Sequence, residues 1–492
     1  MDFPILLPFE NEWWTFCVYF LAILIFVGLS EITLKKKWFS PQANRKLVHF
    51  IIGLATSTAP FIFTNNIQAI ALAIIFIVVN AVTLKQDLFK GIHSQERFSF
   101  GTVYFPVAYL ILVSFFWGYS EFIILSMIIL AISDPLAAIV GESRKTPKIF
   151  TIWKDVKSIQ GSTTFFLSSF AIVFSGSIFL DINISSPLYF SLFVALGATL
   201  GEMVSDSGSD NVSIPVISIL FMIFYTNLSQ GLQPIQSPDV LIVSGLLIIM
   251  IAIFSGAYIL KSLSRSGYYG GLMMGTLIIF SGGFTTLYPL FIFFILSSIL
   301  SKVIKKESAI QSKGSVRDII QVYANGLVPL LISLWMYFNP NGDYMPFFLA
   351  SVAAAMADTW ATELGKLSRR KPVSILTFKN VPTGESGGIT FTGTLGSLLG
   401  ASIFVFFVWL FFPVYGSLAY GIIACGFLGS IIDSILGATI QAKYQLKNGK
   451  TIEIPEEGAS LIHGYSWVNN DMVNLLSTAI TPLLMGIYLF YK

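Results

Sequence analysis

Apolar windows of about twenty residues, the length of helix that spans roughly 30 Å of hydrocarbon, recur from one end of this chain to the other and limit what it can fold into. Roughly sixteen can be placed, near 13–34, 45–63, 67–84, 101–117, 120–141, 161–180, 187–203, 211–227, 239–260, 268–284, 287–303, 320–338, 345–364, 393–412, 417–440 and 472–490. With 55% hydrophobic and 11% charged residues over 492 positions, and a mean hydropathy of +0.77, the chain carries more apolar surface than a water-soluble fold can bury. The expected architecture is an all-α integral membrane protein. No Ser/Gly/Pro-rich linker or low-complexity tail interrupts the windows, which leaves no room for a soluble domain. The opening MDFPILLPFENEWW has no basic residue ahead of the first window, which argues against a cleavable leader. Cys17 and Cys425 both fall inside windows, against a disulfide framework or a thiolate metal site.

Basic residues set the orientation. The first connection carries Lys35, Lys36, Lys37, Arg45 and Lys46, the third Lys85, Lys90 and Arg97, and the fifth Arg144, Lys145, Lys148, Lys154 and Lys157. Even-numbered connections such as TNN, GYSE and DINISSP carry none, and of the 29 basic residues only Lys492 falls on their side. By the positive-inside rule the odd connections face the cytoplasm and both termini face outward. The net charge of +3 then reports topology rather than affinity for nucleic acid, and no nucleic-acid partner is expected.

Two stretches break the apolar pattern in the same way: SDPLAAIVGE at 133–142 and ADTWATELGK at 357–366 share an Asp-x-x-Ala-x-x-x-Gly spacing. The first ends the fifth window and the second ends the thirteenth, so the chain reads as two parallel halves of eight helices, residues 1–230 and 238–492, with every motif on one face.

On a helix, positions i, i+3 and i+7 share a face, so Asp134, Ala137 and Gly141 form a stripe that starts at a carboxylate, and Asp358, Ala361 and Gly365 repeat it. Asp134 before Pro135 is also a common way to start a helix, but Asp358 has no such excuse, and an acid at a membrane helix end is costly enough to point to function. Further acids follow: Glu202, Asp206 and Asp210, with Asn211 beside them, then Glu363, Asp433 and Asp471. Carboxylates gathered with lysines and a glycine loop on one face fit a Mg²⁺-nucleotide site, since Mg²⁺ is held by one or two carboxylates plus phosphate oxygens. In TGESGG at 383–388, Thr383, Gly384, Ser386, Gly387 and Gly388 could present backbone N–H groups to phosphates, although the same letters also spell an ordinary turn. Arg45 and His49 share a helix face beside Lys46, and Arg317 adds a further basic candidate; a buried helix-end histidine is the plainer account of His49. Lys35 to Lys37 and Arg369 to Lys371 read as positive-inside anchors. No Walker A sequence, His/Cys cluster or nucleophile elbow is present, which favours direct phosphoryl transfer and no zinc.

RKLVH with Gly53, SFGTVYFP at 99–106, SDPLAAIVGE, KSIQGS and EMVSDSGSDN occur in that order, and on them the first half resembles the polyprenol kinase family of dolichol and phytol kinases. Asp134, Ala137, Gly141, Lys157 and Gly161 also look like elements of the membrane cytidylyltransferases, which implies CTP. The second half, on SRSGYYGGLMMG, GSVRDIIQVYANG, ADTWATELGK, VPTGESGGIT, GSIIDSILGA and VNND, resembles the phytyl-phosphate kinase family. The resemblances imply consecutive reactions at the cytoplasmic face of a plasma membrane or its equivalent. An isoprenoid alcohol such as phytol would become the monophosphate and then the diphosphate, with CTP as donor and Mg²⁺ as cofactor. They imply Asp134, Glu202, Asp206 and Asp210 for metal binding or activation of the hydroxyl, Lys157, Ser158, Gly161 and Asn211 for the triphosphate, and Asp358, Glu363, Asp433 and Asp471 for the second half. That half lacks the KSxxG and SDN letters. Two other readings remain open at this stage, a cytidylyltransferase making a CDP-lipid and a lipid or ion transporter, although a carrier would keep its acids nearer the midplane.

Overall fold

A computed structural model of the chain describes residues 3–6, 9–86, 100–143, 146–230, 240–304, 316–449 and 451–492. Lys90, Arg97, Arg144 and Lys145 of the basic connections, and the junction at 231–238 between the expected halves, lie outside the described residues. The chain divides into two compact units, Met1–Gln233 and Pro234–Lys492.

The N-terminal unit begins with α1 (Glu12–Lys35), α2 (Pro41–Ser57), α3 (Ile67–Lys85) and α4 (Gly101–Phe115). Starts are set by local chemistry: the Ser40 hydroxyl accepts from Ala43 N–H, and Pro41, which has no N–H to leave unpaired, occupies the first turn of α2. Next, α5 (Ser120–Ile128) runs through one widened π turn, Ile129–Ser133, into α6 (Asp134–Ser143). Phe122 to Met127 and Ile129 to Ala131 are all buried, so this helix and the later one at Asp210–Gln230 are the enclosed ones among the described residues of the unit. An antiparallel hairpin of β1 (Ile149–Thr151) and β2 (Val156–Ser158) leads into α7 (Ile159–Phe179), followed by α8 (Pro187–Met203) and α9 (Asp210–Gln230).

The C-terminal unit contains α10 (Val240–Ile259), α11 (Arg265–Val303), α12 (Ile319–Phe338) and α13 (Met345–Gly365). A two-stranded pair, β3 (Val373–Ser374) with β4 (Gly388–Ile389), precedes α14 (Phe391–Phe411) and α15 (Ala419–Thr439). A three-stranded sheet in the order β6-β5-β7, from β5 (Lys443–Gln445), β6 (Thr451–Ile452) and β7 (Ser460–His463), then leads to α16 (Asn470–Tyr491). Here α13 is the enclosed helix, packed against α14, α15 and α16. Its Ala353 and Ala354 let Gly426 and Gly429 of α15 approach so closely that a β-carbon on either glycine would meet them at 2.9 and 2.6 Å.

Among the described residues, eleven helices are long and apolar enough to cross a membrane, and Gly101–Phe115 and Pro187–Met203 are shorter apolar helices. The sequence expectation was about sixteen spans, and the differences have local causes. The windows at 268–284 and 287–303 are two helical stretches within α11 that meet at Gly283, whose φ 61° and ψ −142° break the helix, so the count of eleven takes two expected spans as one. The basic residues of α2 and the alanines and acids of α13 leave those two helices less apolar than their neighbours. Three connections expected as loops, between α6 and α7, α13 and α14, and α15 and α16, hold short strands.

Candidate functional site

In the N-terminal unit, a cavity of about 380 Å³ opens among α1, α2, α3, α4, the start of α6 and the turn before α9. Arg45, Lys46, His49, Asp134, Asp210 and Asn211 line it, and so do Leu24, Val27, Ile52, Phe76, Val79 and Phe105. RKLVH, the Gly101–Phe105 part of SFGTVYFP, Asp134 and the DN of EMVSDSGSDN thus meet at one space, although they are far apart in sequence. The π turn helps to bring them together. His49 Nε2 lies 3.1 Å from the Leu130 carbonyl in that turn and 4.0 Å from Asp134 Oδ2. As a carbonyl only accepts, Nε2 carries the proton, which fixes the ring against Asp134. Gly53 allows α2 to reach the turn, since a β-carbon there would fall 2.5 Å from Ala131 Cβ. Lys46 donates to Glu142 at 2.6 Å.

Other expected residues have different partners. Lys157, expected at the triphosphate, donates from Nζ to Glu202 Oε1 at 2.6 Å, to the Glu202 carbonyl at 2.9 Å and towards Ser205 Oγ at 3.5 Å, which uses its three N–H groups. Burial alone would lower this ammonium, but the Glu202 and Asp210 carboxylates hold it above its usual value. Glu202, expected on the metal, is tied to Lys157 and receives Ser162 Oγ at 3.4 Å. Asp206 accepts from Ser207 Oγ at 2.9 Å, lies 3.9 Å from Lys154 and does not line the cavity; burial pushes its carboxyl above its usual value. Ser158 Oγ accepts from Gly161 N–H at 3.0 Å and caps α7. A β-carbon on Gly161 would lie 3.0 Å from the Ala137 carbonyl, so the Asp-Ala-Gly and Lys-Ser-Gly elements knit α6 to α7.

The same crossing occurs in the C-terminal unit with different letters. Thr390 Oγ1 caps α14 by accepting from Gly393 N–H at 3.0 Å, and a β-carbon on Gly393 would lie 3.0 Å from the Ala361 carbonyl. Sequence reading missed this pair because Ile389 stands where Lys157 stands; the available signal was a Thr-x-x-Gly cap ahead of an apolar run. Asp433 lies within electrostatic reach of Asp358, and Asp471 is buried in the first turn of α16. Glu363 is held by Ser301 Oγ at 3.0 Å and Lys366 Nζ at 2.8 Å. Arg317 lines a separate, largely apolar space that contains none of the loop residues 383–388.

That loop is built for positive φ, at Gly384 (90°) and Gly387 (82°). Its donors, expected at phosphates, are partly engaged: Ser386 N–H donates to Glu453 Oε1 at 2.7 Å and Gly388 N–H to the Glu385 carbonyl at 3.0 Å. Lys443 pairs with Glu385 at 2.7 Å, and burial holds the Glu453 carboxyl above its usual value. The loop docks the β5–β7 sheet on α15. Thr383, Gly384 and Gly387 remain its candidate contacts.

Among the described residues, no three His, Cys, Asp or Glu side chains gather closely enough to hold a metal ion by themselves. The N-terminal cavity still suits Mg²⁺ carried in on phosphate oxygens. Asp134 and Asp210 both line it, and Asn211 Oδ1, beside Asp210, is buried without a partner. Asn80, Thr102 and Asp155 also line this space and escaped sequence reading; Asn80, polar inside an apolar helix, was the legible one, and its Nδ2 donates to the Thr102 carbonyl at 2.7 Å.

Comparison with known proteins agrees with a membrane fold. Residues 248–482 match the family described as Integral membrane protein DUF92. An uncharacterized membrane protein of Methanocaldococcus jannaschii is 36% identical over 189 residues, 38% of this chain and 79% of the relative. Protein PGR of Arabidopsis thaliana is 31% identical over 266 residues, 48% of this chain and 92% of its own. The chain belongs to this DUF92 family of integral membrane proteins. A Glycine max protein named "Probable phytol kinase 2, chloroplastic" is 28% identical over 219 residues, 42% of this DUF92 chain and 72% of its own. Each of these three matches covers less than half of the chain. No solved structure matches it.

Proposed function

We propose that the chain is a bifunctional membrane kinase: the N-terminal unit phosphorylates an isoprenoid alcohol such as phytol, and the C-terminal unit converts the monophosphate to the diphosphate, with CTP as donor. The observation that carries this reading is the mixed lining of the 380 Å³ cavity, where Asp134, Asp210, Arg45, Lys46 and His49 share walls with Leu24, Val27, Ile52 and Phe76. A lipid alcohol needs apolar walls for its chain and charged walls where its hydroxyl meets a nucleotide. The hydroxyl oxygen attacks the terminal phosphorus, the bond to the bridging oxygen breaks with loss of CDP, and the hydroxyl proton passes to Asp134 or Asp210. Arg45, Lys46 and His49 offset the charge that builds on the phosphoryl oxygens. Mg²⁺, held through Asp134, Asp210 and Asn211, supplies further neutralisation when bound.

Relatives named as phytol kinases support the substrate class, and the repeated helix crossing beside Asp358 supports a second site. The concentration of basic residues on one set of connections supports both sites facing the cytoplasm and both termini facing outside. The test is mass spectrometry of lipids and nucleotides after incubation with labelled CTP and a panel of isoprenoid alcohols and monophosphates. CDP with lipid mono- and diphosphates, abolished by EDTA, is expected. A CDP-lipid with pyrophosphate, or no turnover at all, overturns the proposal.

A further inference from the structure

Two glycine- and amide-bearing motifs remain outside the sites above, and they meet in the C-terminal unit. On α11, Gly267, Gly271 and Gly275 recur every fourth residue; opposite them, Arg317, Gln321 and Asn325 recur every fourth residue into α12. All six line a cavity of about 70 Å³ whose remaining wall is aromatic and aliphatic. The space holds several times the volume one water needs and far less than a nucleotide fills. A β-carbon on Gly267 would lie 2.2 Å from the Arg317 carbonyl oxygen, so this glycine lets residue 317 sit against α11.

Arg317 is poorly matched there. Its guanidinium has five N–H donors, lies 5.6 and 5.7 Å from the ring centres of Phe293 and Phe294, and among the described residues makes one long hydrogen bond, 3.4 Å from Nη1 to Ser298 Oγ. Glu363 is near enough to act on it electrostatically, and its two oxygens also accept from Ser301 and Lys366. Burial lowers the guanidinium to about 10, with Glu363 opposing, so it stays charged at neutral pH. Gln321 Oε1 accepts from Asp318 N–H in the helix cap, which leaves its amide nitrogen to donate. A half-buried cation with no anion in contact among the described residues is poorly compensated, and the fork geometry of arginine matches a phosphate.

We infer that this cavity receives the phosphate head of an isoprenoid lipid monophosphate, with Arg317 as the specificity-determining residue and Gln321 as a second donor. The inference rests on the reading that the C-terminal unit acts on a lipid monophosphate, but its test needs no turnover, so the two can fail separately. Full-length protein in nanodiscs, without nucleotide, is irradiated with farnesyl monophosphate bearing a diazirine, and labelled peptides are mapped. Label is expected within 265–303 or 316–338. Unmodified farnesyl monophosphate should compete, whereas farnesol or inorganic phosphate at equal concentration should not. Arg317→Lys should cut this labelling about tenfold, and Arg317→Met should abolish it without lowering thermal stability, because the variant removes an ill-paired, half-buried charge. If Arg317→Met does not fold, Arg317→Lys decides. Labelling unchanged in either folded variant, or competition by inorganic phosphate as strong as by the ester, overturns the inference.

Discussion

Glu202→Gln separates a structural role for Lys157 from a role at the triphosphate. The two side chains are 15% and 7% exposed, and the ammonium meets three acceptors, at 2.6, 2.9 and 3.5 Å. An exposed ion pair is worth about 0–1 kcal/mol, whereas removing one member of a buried pair costs about 3–5 kcal/mol by stranding the other charge. At roughly 2–4 °C per kcal/mol for a unit of this size, the unfolding midpoint should fall by about 6–20 °C. The double variant Lys157→Met with Glu202→Leu removes both charges and should recover most of that loss. Tryptophan fluorescence during heating in detergent reads stability, and phosphorylation of an isoprenoid alcohol reads function. If the pair only holds the α7–α8 end together, the refolded double variant keeps most of its activity. A stable double variant with no activity would return Lys157 to the triphosphate and refute the structural argument, as would a single variant with an unchanged midpoint.

Three further outcomes follow from the geometry. Gly161→Ala crowds the Ala137 carbonyl and the capping Ser158 hydroxyl, so it should cost about 1 kcal/mol and slow only alcohol phosphorylation, while Gly393→Ala should slow only monophosphate phosphorylation; equal effects on both steps would contradict separate crossings. Glu453→Gln weakens the acceptor at Ser386 N–H and should speed hydrogen exchange of that amide by about tenfold; unchanged exchange would mean that the carboxylate does not hold the loop. Cysteines at Ser158, Ser209 and Ser386 should be labelled from the cytoplasmic side and one at Asn341 from outside, whereas labelling of Ser158 and Ser386 from opposite faces would refute the parallel arrangement.

The membrane fold was legible because span length and apolarity are properties of each segment alone. The meeting of RKLVH, SFGTVYFP, Asp134 and Asp210 was legible as motifs sharing a face, but not as a cavity, since the π turn that presents the Leu130 carbonyl to His49 leaves no pattern in the aliphatic run ILAIS. Lys157 and Glu202 were read as polar residues of the site, and the tie between them was not legible. A lysine near an acid and a glycine spells a phosphate contact or a buried tie equally well, and the three acceptors around Nζ are set by the fold rather than by the local letters. In TGESGG, likewise, positive φ is encoded by its glycines, but the glutamate that accepts from the Ser386 amide lies 67 residues downstream. Arg317 appeared as one more basic residue because the cavity it shares with Gln321 and Asn325 is formed by the packing of α11 against α12, which no local pattern records.

The central claim is that the duplicated aspartates serve two separate phosphorylation steps. Asp134→Asn and Asp358→Asn keep side-chain size and remove one charge each, and in each folded variant the lipid products from phytol and from phytyl monophosphate are quantified with labelled CTP. With Asp134→Asn, phosphorylation of the alcohol should fall by about 10²–10³ while added monophosphate still becomes diphosphate. With Asp358→Asn, monophosphate should accumulate from the alcohol with little diphosphate formed. Loss of both steps in either well-folded variant, or loss of neither, would contradict two independent sites.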